Sequence, residues 1–344
     1  MNNPAHASPA ATSQHYFRAE LLELAEQALL REGVSGLAAA STARALVEAE
    51  MQGLPSHGLS RLPQYISHMR HGRIDPRAQP RVAAEKGAGI LVDAQDGLAY
   101  PACDLALRAA MERVAQTAVA CAAVRRSHHF GMASYHLRQA AEKGYMAFAF
   151  SNSPSAMPAW GGSRALFGTN PIAAAFPRRG RTPISIDLSL SEVARGKLMT
   201  AARRGESIPL GWALDEQGRP TTDPQAGLAG MMCPAGGVKG AMLALMVELL
   251  CVGLGGGAWA FEADSFFKAQ GNRPNLCHVF LLIDPAAFAG SDSYDERLEV
   301  LVEAMLQDAD VRLPGERRRH LAAQAEQDGV QVDPDIIRQL RTGN

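Results

Sequence analysis

Residues 89–153 of this 344-residue chain read GILVDAQDGLAYPACDLALRAAMERVAQTAVACAAVRRSHHFGMASYHLRQAAEKGYMAFAFSNS. Three short apolar runs, at 89–94, 119–124 and 146–153, alternate with alanine-rich stretches that extend to about Val114 and Glu142. The apolar runs are typical of buried strands and the stretches between them of helices. This alternation predicts an α/β domain with a largely buried sheet.

The segments that follow extend this pattern. Further strands are predicted at ALFGTNPIAAAF (165–176), ISIDL (184–188) and HVFLLID (278–284), divided by Gly, Pro and Asn turns. A buried helix is predicted over 238–252. The polar, proline-bearing residues of about 190–230 suggest a surface arm or a contact with a partner.

Both ends of the chain favour helices. Apolar residues recur at three- and four-residue spacing over 17–32 and 37–51, and again over about 62–72, where Pro63 suits the first helical turn. The region 295–340 also has a helical pattern, broken by RLPGERR at 312–318. The polar residues at the start of the chain, 1–15, predict a flexible tail.

Composition narrows the classes of function. Lys plus Arg number 34 and Asp plus Glu number 35, so positive and negative charges nearly balance. The protein therefore has no broad positive electrostatic field that would attract nucleic acid or an anionic membrane. Five widely spaced cysteines without a CxxC motif predict reduced core residues. The start of the chain resembles no signal peptide, and the apolar stretch 241–258 contains Glu248, which favours a buried helix. We therefore expect a cytoplasmic protein without nucleic-acid or membrane partners.

A standard dinucleotide-binding motif is not supported. GLGGGAWA (253–260) approaches GxGxxG, but it follows a helical pattern, whereas the motif requires a preceding strand and a following helix. A helix C-cap followed by a loop is the better interpretation. GxxxxGK[ST] is absent from the sequence.

The densest group of reactive side chains lies in LPSHGLSRLPQY (54–65), which contains Ser56, His57, Arg61 and Tyr65. A histidine can exchange a proton during hydride transfer, and an arginine can hold a carboxylate through two hydrogen bonds. The serine could fix the tautomer of His57. A helix-entry turn with a capping serine and solvated His and Arg explains the same spacing, so both interpretations remain open.

Two more segments could line a site at a sheet edge. RSHHFG (126–131) follows a predicted strand, a frequent ligand position in α/β sheets. Zinc is disfavoured there, because adjacent histidines point apart and no Cys or carboxylate has ligand spacing. FGTNP (167–171) forms a turn, usually structural, and Asp187 ends a strand, where it could accept a ribose hydroxyl or cap the following residues.

Two loops could bind phosphate or carboxylate. PAGGVKG (234–240) precedes a helix and would aim backbone N–H groups and Lys239 at an anion, although a flexible loop fits equally. RLPGERR brings three arginines around a Pro-Gly turn, which suits an adenosine phosphate or solvent.

The chain resembles the type-2 malate/L-lactate dehydrogenase family over most of its length, from about Phe17. The resemblance is carried by the segments quoted above together with WGGSRALFGTNPIAAAFPR, IDLSLSEVARGK and GWALDEQGRPTTDP. The family includes ureidoglycolate and sulfolactate dehydrogenases and piperideine/pyrroline-2-carboxylate reductases. The resemblance implies an α/β, non-Rossmann nicotinamide-binding sheet domain (81–309, with the arm), a helical domain from both termini (16–80 plus 310–344), and a homodimer.

The resemblance also implies residue roles. His57 would be the proton donor or acceptor supported by Ser56, and His129 would be catalytic or would contact the cofactor. The expected substrate contacts are Arg61, Tyr65 and Thr169. The expected cofactor contacts are His129, Phe130, Gly131, Met132, Ala133, Asp187, Leu188, Ser189, Val238, Lys239, Pro314, Gly315, Glu316, Arg317 and Arg318. Arg317 and Arg318 could neutralise a 2′-phosphate, which favours NADP over NAD, and no metal is expected.

Lys197 departs from part of this family. Imine-reducing relatives can carry Asp at this position, completing a Ser-His-Asp relay that a cation cannot serve. We therefore expect an NAD(P)-dependent enzyme interconverting a 2-oxo acid and a 2-hydroxy acid, both small carboxylates. The alternatives are an NADPH-dependent reductase of cyclic imino acids and a non-catalytic binding protein with the same fold.

Overall fold

The computed structural model describes residues 14–343, in which a short strand and three helices precede the strands of the main sheet. The helices are α1 Arg18–Arg31, α2 Gly36–Met51, α3 Leu62–Arg70, α4 Ala99–Thr117, α5 Ala133–Glu142, α6 Arg195–Arg204, α7 Pro224–Ala229, α8 Val238–Gly255, α9 Ser291–Met305, α10 Glu316–Asp328 and α11 Pro334–Thr342. The strands are β1 His15–Tyr16, β2 Arg81–Lys86, β3 Gly89–Asp93, β4 Val119–Ser127, β5 Met146–Ser151, β6 Met157–Pro158, β7 Ala165–Phe167, β8 Ile172–Arg178, β9 Arg181–Leu188, β10 Ala213–Leu214, β11 Pro220–Thr221, β12 Met231–Met232, β13 Leu276–Ile283 and β14 Val330–Gln331.

The largest sheet within residues 14–343 has seven strands, in the order β2-β3-β4-β13-β5-β8-β9. The β3–β4 pair is parallel and the other five pairs are antiparallel, so the fold is a mixed α/β fold with a mostly antiparallel sheet. The predicted alternation of strand and helix is confirmed, but β13 inserts between β4 and β5. Hydrophobic periodicity carries no information on this insertion, because strand order depends on contacts between distant segments.

Strand directions bring several loops to one edge of the sheet. From the pairings, β3, β4, β5 and β9 run in the same direction, so their carboxyl ends lie at the same edge. The chain leaves this edge at His128–His129 after β4 and at Ser189 after β9, and returns to it through Thr169–Asn170 before β8. Ligand sites in open α/β sheets favour such an edge.

The three largest clusters of buried side chains in the described chain join most of the helices to the sheet and to one another. One joins α1, α2 and α3 to α10 and α11, so both ends of the chain share a core. A second packs α4 and α5 on one face of the sheet, and a third packs α8 on the other. The segment expected as an arm adds Leu198, Ile208 and Ala213 to the third cluster.

Most predicted helices and strands agree with the structure. Pro63 stands in the first turn of α3, and α8 ends at a left-handed Gly256, which confirms the C-cap interpretation of GLGGGAWA. The exposed edge strand β2 was not predicted, since all six of its residues are exposed and it has no apolar face. Residues 1–13 of the expected tail lie outside the described residues, whereas His15 pairs with Gln331 in a short ladder.

Two further predictions concern the state of the cysteines and the burial of the apolar helix α8. All five cysteines are free; three are buried, and Cys121 and Cys233 are half-buried. Among the described residues, α8 is long and apolar enough to pass a length-and-composition test for a membrane span. One face of α8 packs on the sheet, so core packing accounts for part of its apolar character.

Candidate active site

The 54–65 turn is built by two short 3-10 helices, Pro55–His57 and Leu59–Arg61, that lead into α3. The Glu50 carboxylate fixes this turn by accepting a hydrogen bond from the Leu59 N–H at 2.9 Å. Gly58 fits against the same carboxylate, where a Cβ atom would lie 2.2 Å from Oε2 of Glu50. Burial raises the pKa of Glu50. The turn therefore has a fixed orientation before any ligand binds.

Ser56 and His57 form a hydrogen-bonded pair on this turn. The Ser56 hydroxyl lies 3.0 Å from Nδ1 of His57, which leaves Nε2 for another partner. Burial and the positive charge of Arg61 lower the pKa of His57 to about 4, and the charge of Asp187 opposes this shift. His57 is thus a neutral imidazole at neutral pH, ready to accept a proton.

Arg61 is oriented by the turn itself. Its Nε donates to the Ser56 carbonyl at 2.6 Å, and its Nη1 donates to Gln64 Oε1 at 3.0 Å. No carboxylate within residues 14–343 forms an ion pair with it, and burial lowers its pKa. A half-buried guanidinium without a counter-ion is suited to binding an anionic ligand.

The loop after β4 brings His129 to the same place. The His57 and His129 rings lie 5.7 Å apart between centroids. Tyr65 contributes its hydroxyl, 2.7 Å from Nδ1 of His129 and 3.2 Å from the hydroxyl of buried Tyr100. Burial and the charge of Arg61 lower the pKa of His129 well below its usual range. Two neutral imidazoles therefore face each other beside one guanidinium.

Gly131 is required by this arrangement. Its φ is +73°, and a Cβ atom there would lie 2.4 Å from the Tyr100 hydroxyl. Phe130 is buried between two histidines, stacked on His278 at 4.6 Å and on His136 at 5.1 Å. The expected cofactor-contact segment 129–133 thus has a rigid support, but Phe130, Met132 and Ala133 are themselves buried.

A second group of expected cofactor residues assembles around Asp187. Its carboxylate accepts from the backbone N–H and hydroxyl of Ser134 at 3.1 and 2.8 Å, and from Arg318 Nη1 at 3.0 Å. The 314–316 turn packs against β9, where the Pro314 carbonyl accepts the Ser185 N–H at 3.2 Å. Glu316 Oε2 accepts the Leu313 N–H and so closes this turn. Arg317 is exposed.

The remaining expected residues lie along the segment that follows β9. The Thr169 carbonyl accepts the Leu190 N–H at 2.9 Å, and the Leu190 carbonyl accepts the Ala235 N–H at 2.9 Å. Ser189 bonds to the hydroxyl of Ser191 at 2.7 Å. In the part of the chain described, no hydrogen bond joins Thr169 or Lys239 to His57 or Arg61.

Several residues of the site were not predicted. Tyr100, Ser134 and Gln64 supply hydrogen bonds that no motif indicates, and the exposed ring of Phe267 lies beside Arg61. Gln64 also donates to the Phe266 carbonyl, which ties Arg61 to that loop. Among residues 14–343 no group of three or more His, Cys, Asp or Glu could hold a metal ion.

Known proteins resemble this chain over nearly its whole length. The family model for malate/L-lactate dehydrogenase matches residues 17–341. A (2R)-3-sulfolactate dehydrogenase (NADP(+)) of Chromohalobacter salexigens is 50% identical over 318 residues, covering 92% of this chain and 94% of the relative. A Δ1-pyrroline-2-carboxylate/Δ1-piperideine-2-carboxylate reductase of Pseudomonas putida is 35% identical over 323 residues, covering 94% of each chain.

A solved structure agrees with these matches. The Δ1-piperideine-2-carboxylate reductase of Pseudomonas syringae pvar. tomato superposes with a TM-score of 0.89 at 34% identity, covering 95% of this chain and 99% of that one. Fold, family model and relatives therefore point to the same group, and the chain belongs to the malate/L-lactate dehydrogenase family.

Proposed function

We propose that this protein is an NADP-dependent oxidoreductase that interconverts a 2-oxo acid and a 2-hydroxy acid of the malate, lactate or sulfolactate type. The observation that carries this proposal is the hydrogen-bonded Ser56–His57 pair beside Arg61, a guanidinium without a carboxylate partner. The similarity to an NADP-linked sulfolactate dehydrogenase supports the same chemistry.

Each side chain has a role in this proposal. Arg61 binds the substrate carboxylate through its outward N–H groups, and His57 exchanges a proton with the oxygen on C2. Ser56 holds Nδ1 of His57, so Nε2 faces the substrate. His129, held by Tyr65, lies across the site and supplies a second hydrogen bond to the reacting oxygen.

The residues beside β9 fit a phosphorylated dinucleotide. Lys239 and Arg317 are exposed, and no carboxylate in the described chain forms an ion pair with either. Both side chains are therefore available to form ion pairs with phosphate groups. Leu188 is 55% exposed and Val238 is 43% exposed, offering apolar surface to a ring. Gly131, Asp187 and the 314–318 turn complete the proposed cofactor contacts. When bound, the nicotinamide supplies or accepts the hydride.

Reduction of a cyclic imino acid is the second candidate, because two relatives named above act on pyrroline- or piperideine-2-carboxylate. Lys197 argues against it. Its ammonium lies 5.6 Å from the Trp212 ring centroid, and in the described chain His57 has only Ser56 as a hydrogen-bond partner. The carboxylate of a Ser-His-Asp relay is therefore lacking here.

A substrate panel distinguishes these functions. We expect NADPH oxidation with pyruvate, oxaloacetate or 3-sulfopyruvate to exceed that with piperideine-2-carboxylate by at least about 10-fold in kcat/KM. NADH is expected to be the poorer cofactor. Faster turnover of the imino acid would reverse the assignment, and NADPH binding by fluorescence without turnover of any substrate would indicate a non-catalytic protein.

We also propose the finer organisation expected from the family: a helical domain of residues 16–80 plus 310–344, a non-Rossmann dinucleotide domain over 81–309, and a cytoplasmic homodimer. One apolar stripe supports the dimer. Met242, Met246 and Leu249 recur at helical spacing on α8, and each is 46–54% exposed. An apolar stripe of this kind is typical of a surface covered by another chain.

Replacing Met246 with glutamate is expected to convert the dimer to monomer, since a charge would be buried without a partner. Sedimentation equilibrium measures the change, and Leu37→Glu, at an 89% exposed position on α2, is the matched control. A dimer unaffected by Met246→Glu, or a monomeric wild-type protein, would contradict this interface. Association of the wild-type protein with lipid vesicles would indicate a membrane contact instead.

A further inference from the structure

A second half-buried guanidinium lies beside the candidate site. Arg195 begins α6, within the SEVARGK segment that follows β9. Its guanidinium carbon lies 5.2 Å from the centroid of the Phe267 ring, and that of Arg61 lies 6.0 Å from the same ring. One aromatic ring, 55% exposed, therefore stands beside two arginines that are 134 residues apart in the sequence.

Arg195 resembles Arg61 in lacking a counter-ion. Its one hydrogen bond in the described chain runs from Nη2 to the Leu228 carbonyl at 2.8 Å, and no carboxylate lies within ion-pair distance. Burial lowers the pKa of Arg195, and no neighbouring negative charge opposes that shift. A half-buried cation without a counter-ion is suited to binding an anionic ligand.

The two guanidinium groups are separately fixed. Ser56 and Gln64 orient Arg61, whereas the Leu228 carbonyl orients Arg195. The Phe267 ring contributes a cation–π contact to each guanidinium. Two separately oriented guanidinium groups beside one ring are suited to binding two anionic groups carried by one small molecule.

We propose that Arg195 binds a second anionic group of the substrate, a sulfonate or carboxylate on C3, while Arg61 binds the carboxylate on C1. The inference rests on the proposed function and names its substrate class: dianionic 2-oxo and 2-hydroxy acids, rather than monoanionic ones such as pyruvate and lactate. Arg195 is thus a specificity-determining residue. Charge-assisted hydrogen bonds to a guanidinium fork suit both sulfonate and carboxylate oxygens.

The first test compares substrates with and without the second anion. Arg195→Gln is expected to lower kcat/KM for 3-sulfopyruvate by about 10- to 100-fold, and to leave kcat/KM for pyruvate within about threefold. Arg61→Gln should lower both. Arg203→Gln, an exposed arginine of the same helix, is the matched control for loss of charge. An unchanged ratio of 3-sulfopyruvate to pyruvate in Arg195→Gln would overturn the assignment.

A binding measurement separates this inference from the proposed function. Calorimetric titration of the NADPH-loaded protein with 3-sulfolactate or lactate requires no turnover. Tighter binding of 3-sulfolactate, lost in Arg195→Gln, supports the second anion site even if the protein reduces no 2-oxo acid. Equal binding of the two hydroxy acids by wild-type protein overturns the second site even if 2-oxo acids are reduced.

Discussion

The His57→Gln variant is expected to oxidise its 2-hydroxy acid about 10²- to 10⁴-fold more slowly in kcat than the wild-type protein, because glutamine cannot exchange a proton. Steady-state kinetics with the best substrate of the panel measures this loss. The Ser56 hydroxyl can still bond to the new side chain, so the turn keeps its shape. His320→Gln, at an exposed position of α10, is the control and should have wild-type kcat.

Near wild-type turnover by His57→Gln would remove the proton-exchange role from this residue. A large loss in His129→Gln alone would transfer the role to His129, which faces His57 at 5.7 Å. If both variants lose activity, the effect on kcat against KM distinguishes proton exchange from substrate binding.

The dependence of kcat/KM on pH in the acid range tests the proton-accepting role of His57 independently. Because burial and Arg61 lower its pKa to about 4, the neutral base is present at neutral pH. The kcat/KM for oxidation should therefore fall only as the pH approaches about 4. Arg61→Gln removes a positive charge and should raise the pKa of His57, so kcat/KM for oxidation should begin to decrease at a higher pH. If the pH at which kcat/KM decreases is the same in this variant, Arg61 has no influence on the pKa of His57.

The second large effect concerns Arg73, which is 1% exposed. Its guanidinium donates to the backbone carbonyls of the 264–272 loop, at Asp264 (2.9 Å), Ser265 (3.0 Å), Lys268 (2.5 Å) and Asn272 (3.0 Å). Arg73→Met leaves the carbonyls of Asp264 and Asn272 without a donor and is expected to lower the free energy of unfolding by about 3 kcal/mol. Urea denaturation followed by circular dichroism measures this change.

This substitution should also affect activity, since the same loop carries Phe266 and Phe267. The Phe266 ring centroid lies 4.7 Å from that of His128 and 5.6 Å from that of His129, and Phe267 lies beside Arg61. Arg273→Met is the matched control, because its half-exposed ion pair with Asp96 should contribute about 1 kcal/mol or less. Equal stability losses in the two variants would contradict the role of Arg73 in holding the loop.

The candidate site was only partly predictable from sequence. Ser56, His57 and Arg61 share one turn, so their proximity follows from local spacing, and the structure adds the Ser56–His57 hydrogen bond. The nearness of His129 to His57 required knowing that the turn before α3 packs against the end of β4. Tyr100 could not be identified, because it opens a helix that has no motif of its own.

Sequence alone determined the elements with a clear local pattern, together with the family to which the chain belongs. These elements are the amphipathic helices α1, α2 and α3, the apolar helix α8 and the buried strands of the central sheet. Tertiary structure alone decided that β13 lies between β4 and β5, that Arg73 holds the 264–272 loop, and that Arg61 and Arg195 stand beside one ring. The reason is that hydrophobic periodicity depends on neighbours a few residues away, whereas strand order and paired cations depend on contacts between segments far apart in the chain.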